Sequence, residues 1–236
     1  MKKVCTILMI LFGIGGLFKA KSQNVYFFYD FGSLIYEDCA SRPMFTTTVD
    51  LFHADKWGST FFFVDMDYTA KGVSMAYWEI NRTLKFWEAP VSISLEYDGG
   101  LTRNFSFSNA YLGGVQYGYE NEDFSKGFAL TLFYKYIQGN FQPHNFQLTG
   151  TWHLDFGHNA ATFIGFVDVW REPQPGERDD FVFLTEPQLW YHFNSIKGVN
   201  EKFNLSIGSE IECSYNFVLP DRFLVIPTVA LKWKFK

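Results

Sequence analysis

The chain ends on Val229-Ala230-Leu231-Lys232-Trp233-Lys234-Phe235-Lys236. Val229, Leu231, Trp233 and Phe235 share one parity, and Ala230, Lys232 and Lys234 share the other. Successive side chains of an extended strand point to opposite faces, so this is a strand with one apolar and one polar face. Such a segment forms either the half-buried edge of a soluble sheet or one stave of a membrane barrel. The rest of the chain decides between them.

The first residues predict export. Lys2 and Lys3 precede an almost wholly apolar run over 4–17, and Ala20 and Ser22 stand at −3 and −1 of a cleavage point before Gln23. The expectation is a signal peptide over 1–22 and a single mature domain over 23–236. The apolar run is short for a spanning helix. Cys5 lies before it rather than after it, which argues against a lipoprotein anchor. The signal carries four lysines and no acid, so its removal takes the formal charge from −5 to −9. No basic patch or stripe stands out, which disfavours nucleic acid as a partner.

Mean hydropathy is −0.07, the value of a soluble protein. Barrels escape that measure, because their apolar residues alternate with polar ones. Aromatic residues make up 20% of the chain, more than a soluble core of this size requires. Membrane barrels use aromatics as girdles at both interfaces. An aromatic one residue from the terminus of an amphipathic last strand also resembles the assembly signal of bacterial outer-membrane barrels.

Alternation continues upstream. Val91, Ile93, Leu95 and Tyr97 oppose Ser92, Ser94, Glu96 and Asp98; Phe203, Leu205, Ile207 and Ile211 oppose Asn204, Ser206, Glu210 and Glu212. The pattern predicts about twelve strands, near 25–31, 44–54, 57–68, 73–82, 91–98, 109–119, 125–137, 144–155, 159–171, 181–193, 203–215 and 222–235. Runs of this length suit tilted membrane strands, and they leave no room for helices. The expected fold is all-β: a closed antiparallel transmembrane barrel in the outer membrane of a two-membrane bacterium. An even strand number puts both termini on the periplasmic side. Connections 32–43, 99–108 and 172–180 then face outward, while Asp55-Lys56 and Gly157-His158 are periplasmic turns. The 194–202 connection is longer than that side usually carries.

Charge assigns the lumen. Asp65 and Asp67 share parity with Phe61 and Phe63, and charged side chains are disfavoured against lipid. Phe61, Phe63 and Asp65 therefore point inward, and Phe62, Val64 and Met66 outward. Glu79, Glu96, Asp98, Asp168, Glu186 and Glu210 are assigned to the lumen with Lys135 and Lys232. Arg82 opposes Glu79 in parity, so it either reaches the periplasmic rim or is turned inward by a bulge. Rings stack on flat solutes and carboxylates accept hydrogen bonds from amines and hydroxyls. The substrate-contacting candidates are Phe61, Phe63, Asp65, Glu79 and Glu96. The alternative use of the same residues is lumen filling by a charge network. An acidic lumen favours cations and neutral polar solutes over anions.

Residues 44–98 resemble the Tsx family of nucleoside-specific outer-membrane channels and their OmpK relatives. The resemblance is carried by Thr48-Val49-Asp50-Leu51-Phe52, by Asp55-Lys56-Trp57 leading to Phe61-Phe62-Phe63-Val64-Asp65-Met66-Asp67, and by Glu79-Ile80-Asn81-Arg82 and Glu96-Tyr97-Asp98. The Glu79-to-Arg82 spacing is tighter than in Tsx. Phe163 to Trp170 and the last strand match more loosely. The resemblance implies a narrow monomeric twelve-stranded barrel; the expected function is a passive outer-membrane diffusion channel for small polar solutes, with nucleosides the solute class that the resemblance suggests. A non-conducting barrel with a structural or surface-binding role is the competing reading.

Catalysis has little support. A lipid hydrolase would need a serine–histidine pair on one outer face, whereas His153 and His192 have lumenal parity and no serine stands out beside them. No HExxH or paired cysteine–histidine metal motif is present, and no cofactor is expected. Cys39 in the first outward loop and Cys213 near the outward end of strand eleven become neighbours on closure. The oxidising periplasm allows a bridge, and the lipid-facing parity of Cys213 opposes one.

Overall fold

A computed structural model describes residues 22–173 and 180–235. Residues 1–21 of the expected signal peptide and most of the 172–180 loop lie outside the described residues, while Ser22, the peptide's expected last residue, is described. The strands are β1 (Ser22–Asp30), β2 (Phe45–Asp55), β3 (Gly58–Thr69), β4 (Gly72–Leu84), β5 (Val91–Thr102), β6 (Ala110–Glu120) and β7 (Lys126–Ile137). They continue as β8 (His144–Phe156), β9 (Ala161–Arg171), β10 (Phe181–Thr185), β11 (Gln188–His192), β12 (Leu205–Tyr215) and β13 (Phe223–Phe235). All pair antiparallel with their neighbours. Both β10 and β11 lie between β9 and β12, so they are halves of one strand and the barrel has twelve staves.

Closure is made by β1 against β13, in register from Gln23 opposite Phe235 to Asp30 opposite Thr228. It leaves no open edge, the condition for a sheet to survive in hydrocarbon. The side chains are then distributed inside out. On β7, Leu130 and Leu132 are 48% and 60% exposed on the outer wall, while Thr131 and Lys135 are 3% and 8% exposed inside. A soluble sandwich would bury the leucines, so the half-buried soluble sheet is excluded. Phe27, Leu95, Val115, Leu189, Val229 and Leu231 continue the outer apolar band. Aromatics flank it: Phe45, Tyr111, Tyr134 and Phe223 at one end, Tyr119, Phe128, Phe156 and Phe235 at the other.

Several expectations need correction. Strand ten was expected as one run over 181–193. Pro187 has no N–H to donate to the ladder, and the strand breaks at Glu186-Pro187. The flanks hold: Glu186 N donates to Phe166 O at 3.2 Å, and Ile211 N donates to Pro187 O at 3.0 Å. Strand five runs on to Thr102 instead of stopping at Asp98, because the Gly99-Gly100 pair makes room. A Cβ on Gly100 would lie 2.3 Å from Phe107 Cδ2, which covers the strand there.

The connections alternate between the two ends as expected. At the end bearing the termini, the 121–125 turn is built around Asp123. Its carboxylate accepts from Ser125 Oγ at 2.7 Å and Ser125 N at 3.1 Å, which holds its pKa below the usual range. Cys39 and Cys213 are both free. Cys39 packs on the inward residues Leu224 and Ile226, and Cys213 opposes Val225 on the outer face. They are neighbours in position, as closure implied, but the barrel wall stands between them.

One row of the wall shows how tightly the interior is filled. Trp190, Gly208, Ala230 and Phe28 stand side by side across β11, β12, β13 and β1. Trp190 is fully buried and its ring centroid lies 5.5 Å from Tyr26 and 6.3 Å from Phe28. Gly208 is the seat for that indole: a Cβ there would come within 2.5 Å of Trp190 Cε3 and of Leu189 O. Gly208→Ala is expected to destabilise the barrel by about 1–3 kcal/mol, through displacement of a close-packed ring and a backbone carbonyl. Urea unfolding in detergent micelles, followed by Trp fluorescence, measures it; an unchanged midpoint would refute the seat.

Candidate functional site

The candidate site is the inner wall over β2–β5. Its facing is fixed by register and hydrogen bonds. Tyr26 and Asn24, buried on the inward face of β1, donate to Asp50 at 2.7 and 2.6 Å. Asp50 stands opposite Phe63, Phe63 opposite Glu79, and Glu79 opposite Asp98. One row down, Phe52, Phe61, Asn81 and Glu96 are aligned in the same way. All five candidates, Phe61, Phe63, Asp65, Glu79 and Glu96, therefore line the lumen on three adjacent strands.

Their surroundings combine rings and carboxylates. Phe61 and Phe63 have centroids 5.9 Å apart, and Tyr77 continues the aromatic strip 6.0 Å beyond Phe63. Asp65 accepts from Thr48 Oγ1 at 2.5 Å, Glu79 from Tyr77 Oη at 2.7 Å, and Glu96 from Asn81 Nδ2 at 2.8 Å. One oxygen each of Glu79, Glu96 and Asp98 lies within 4.8 Å of the others, a spacing that could hold a cation. The nearest protein cation is Lys135, whose Nζ is 3.9 Å from Asp98 and donates to Gln147 Oε1 at 2.7 Å.

Other lumenal charges line the opposite wall. Glu210 accepts from Gln188 Nε2 at 2.5 Å. Glu186, at the break between β10 and β11, keeps the inward parity and has Glu210, Glu212 and Asp65 as charged neighbours. Lys232 lies over the rings of Tyr26 and Trp190, at 5.2 and 5.4 Å from their centroids. Arg82 reaches the rim, the first of its two expected placements. It bridges both oxygens of Asp55 at 2.9 and 3.0 Å and donates to Thr60 at 3.1 Å.

Sequence reasoning missed three participants. Tyr77 and Asn81 share the parity of Glu79, and that parity was the available signal. Arg42 sits in a loop, where no periodicity points to it; it bridges Asp30 and Glu212. The absence of a serine beside the lumenal histidines also needs correction. Ser206 is the cross-strand neighbour of His192, with Oγ 2.7 Å from Nδ1. His192 Nε2 lies 2.9 Å from Thr162 Oγ1, which donates to Asp155. Facing residues on paired strands make such contacts as ordinary cross-strand pairs. Ser206 is buried at 5% exposure within the lumen, away from the lipid face a lipid hydrolase would use.

The barrel is similar to solved porins. It aligns with the NanC porin at a TM-score of 0.58 and 10% identity, over 90% of this chain and 100% of that one. The KdgM porin aligns at 0.52 and 13% identity, over 91% of this chain and 99% of that one. KdgM in complex with disordered oligogalacturonate aligns at 0.50 and 13% identity, over 91% and 99% of the two chains. At such identities the likeness is one of fold. No curated protein matches the sequence. A family model does, across residues 22–235, and the chain belongs to the family described as domain of unknown function DUF5020.

Proposed function

We propose that this protein is a monomeric passive diffusion channel of the outer membrane for small polar solutes, with nucleosides its preferred class. The observation that carries the proposal is a polar lumen walled by rings and carboxylates inside an apolar exterior. Diffusion needs polar side chains to replace part of the solute's hydration, without binding so tight that the solute cannot leave. Phe61, Phe63 and Tyr77 offer faces on which a flat base can stack. Asp65, Glu79 and Glu96 accept hydrogen bonds from its amines and from ribose hydroxyls. The resemblance of residues 44–98 to Tsx channels supports nucleosides over other neutral solutes. The porin likeness of the fold supports a channel in general.

Charge supports a second element of the proposal, discrimination against anions. Asp50, Asp65, Asp67, Glu79, Glu96, Asp98, Asp168, Glu210 and Glu212 face inward. Against them stand Lys135, Lys232, Lys234 toward the end bearing the termini, and the loop-borne Arg42. A low-dielectric tube with this excess repels anions and raises the local concentration of cations. One structural neighbour was solved with oligogalacturonate, an acidic sugar polymer. This lumen is poorly suited to such a solute.

The competing reading is a non-conducting barrel. It draws on the complete burial of Trp190 and on the packing of Leu224 and Ile226 under a loop, both of which fill part of the interior.

Liposomes containing the refolded protein should swell faster in a nucleoside than in a sugar of similar mass; swelling with neither would favour the non-conducting barrel. Phe63→Ala should slow nucleoside flux about three- to tenfold and leave sugar flux unchanged, the worth of one lost stacking face. Equal slowing of both solutes would assign Phe63 to lumen shape alone. In a planar bilayer under a potassium chloride gradient, the reversal potential should have the sign of cation preference. The opposite sign would overturn the charge argument.

A further inference from the structure

The connection between β1 and β2, residues 31–44, does not stand clear of the barrel. It folds into the mouth at the end away from the termini, which is the outward end by the rule for such barrels. Asp30 is the last residue of β1 and points inward. Its Oδ1 accepts from Gly32 N at 2.6 Å, and its Oδ2 accepts from Arg42 Nε at 2.9 Å, so one carboxylate ties both ends of the loop. Arg42 then reaches across to β12, where Nη2 donates to Glu212 Oε2 at 2.6 Å. Ser214 Oγ donates to the other oxygen of Glu212 at 2.8 Å. The acids of the clasp are themselves sealed, with side chains 8% exposed for Asp30 and 6% for Glu212.

Between these ties the loop carries its own apolar foot. A helical turn at Gly32–Ile35 and a tighter turn at Glu37–Cys39 lower Cys39 onto Leu224 and Ile226. Those two residues have inward parity on β13, yet they are 1% and 0% exposed, because the loop covers them. Tyr36 Oη donates to Val225 O at 3.2 Å and accepts from Val225 N at 3.3 Å. The 216–222 connection adds Val218 and Leu219 to the same cluster.

We infer that residues 31–44 form an inward-folded constriction of the outward mouth, held shut by the Arg42 clasp to Asp30 and Glu212. The clasp decides how wide the entrance is, and release of Arg42 lets the segment swing out into water. A loop held only by apolar packing would fray easily. A loop whose cation joins two desolvated carboxylates, one on β1 and one on β12, is held far more firmly, since release leaves those buried charges without a cation. The effect on flux rests on the channel reading above; the position of the loop does not.

Cys39 reports on that position directly, because its thiol is shielded at 3% exposure. In a Cys213→Ser background, a water-soluble maleimide should label Cys39 slowly in the refolded barrel. Arg42→Gln should raise that rate about tenfold or more, as expected when a local opening loses an ionic tie. It should also raise the swelling rate for larger solutes. Glu212→Gln should act in the same direction and more weakly, because Asp30 still holds Arg42. It decides the matter if Arg42→Gln does not refold. Heat-modifiable mobility on a gel verifies the barrel in each variant. Unchanged labelling in folded variants would overturn the inference, and so would faster labelling with no gain in flux through a conducting barrel. If no variant conducts while labelling accelerates, the clasp stands and the channel reading falls.

Discussion

The pairing of β1 with β13 turns the sheet into a ring. Without it the sheet would present two rows of open backbone groups to hydrocarbon, at several kcal/mol each. With it, every strand sits in a ring whose circumference is set by twelve staves. The register of Gln23 opposite Phe235 places the inward face of β1 beside the inward face of β13. A slip by one residue would move Leu231 and Trp233 into the lumen and Lys232 into lipid. The alternation of the last strand is therefore a constraint on the whole ring.

Closure also turns the usual logic of burial around. The apolar residues go outward and the polar ones must satisfy one another inside. Glu79 with Tyr77, Glu96 with Asn81, and Asp50 with Tyr26 and Asn24 are pairs between residues of the same or adjacent strands. The same side chains build the lumen and face any solute that enters it. Under the proposed channel reading, a structural network and a selectivity surface would be one set of atoms with two uses, and a substitution there would be read by both stability and flux.

Two features break the regularity and shape the interior. Pro187 interrupts strand ten and leaves Glu186 facing inward beside Glu210, Glu212 and Asp65. The 31–44 segment brings a cation, Arg42, to the mouth and covers Leu224 and Ile226. Both are local departures from the regular ladder: Glu186 keeps the facing that alternation gives it despite the break, whereas Arg42 is a charge that alternation does not place.

Period-two alternation is enough to locate the twelve staves, because it reports facing residue by residue and needs no tertiary information. It determined the inward parity of Phe61, Phe63, Asp65, Glu79 and Glu96, since a carboxylate on a membrane strand has one tolerable side. It also placed Cys39 and Cys213 near one another, through closure alone. What those residues touch is set by the folded barrel. Tyr77 and Asn81 were invisible as partners because hydrogen bonding depends on register and rotamer. Strand ten looks unbroken in sequence because Val182, Leu184 and Trp190 share one parity on either side of a single proline. The wall between the two cysteines depends on how the 31–44 loop folds, and loops have no period from which a fold can be read. That loop is held by an arginine and an acid 170 positions apart, brought within 2.6 Å only when the ring closes.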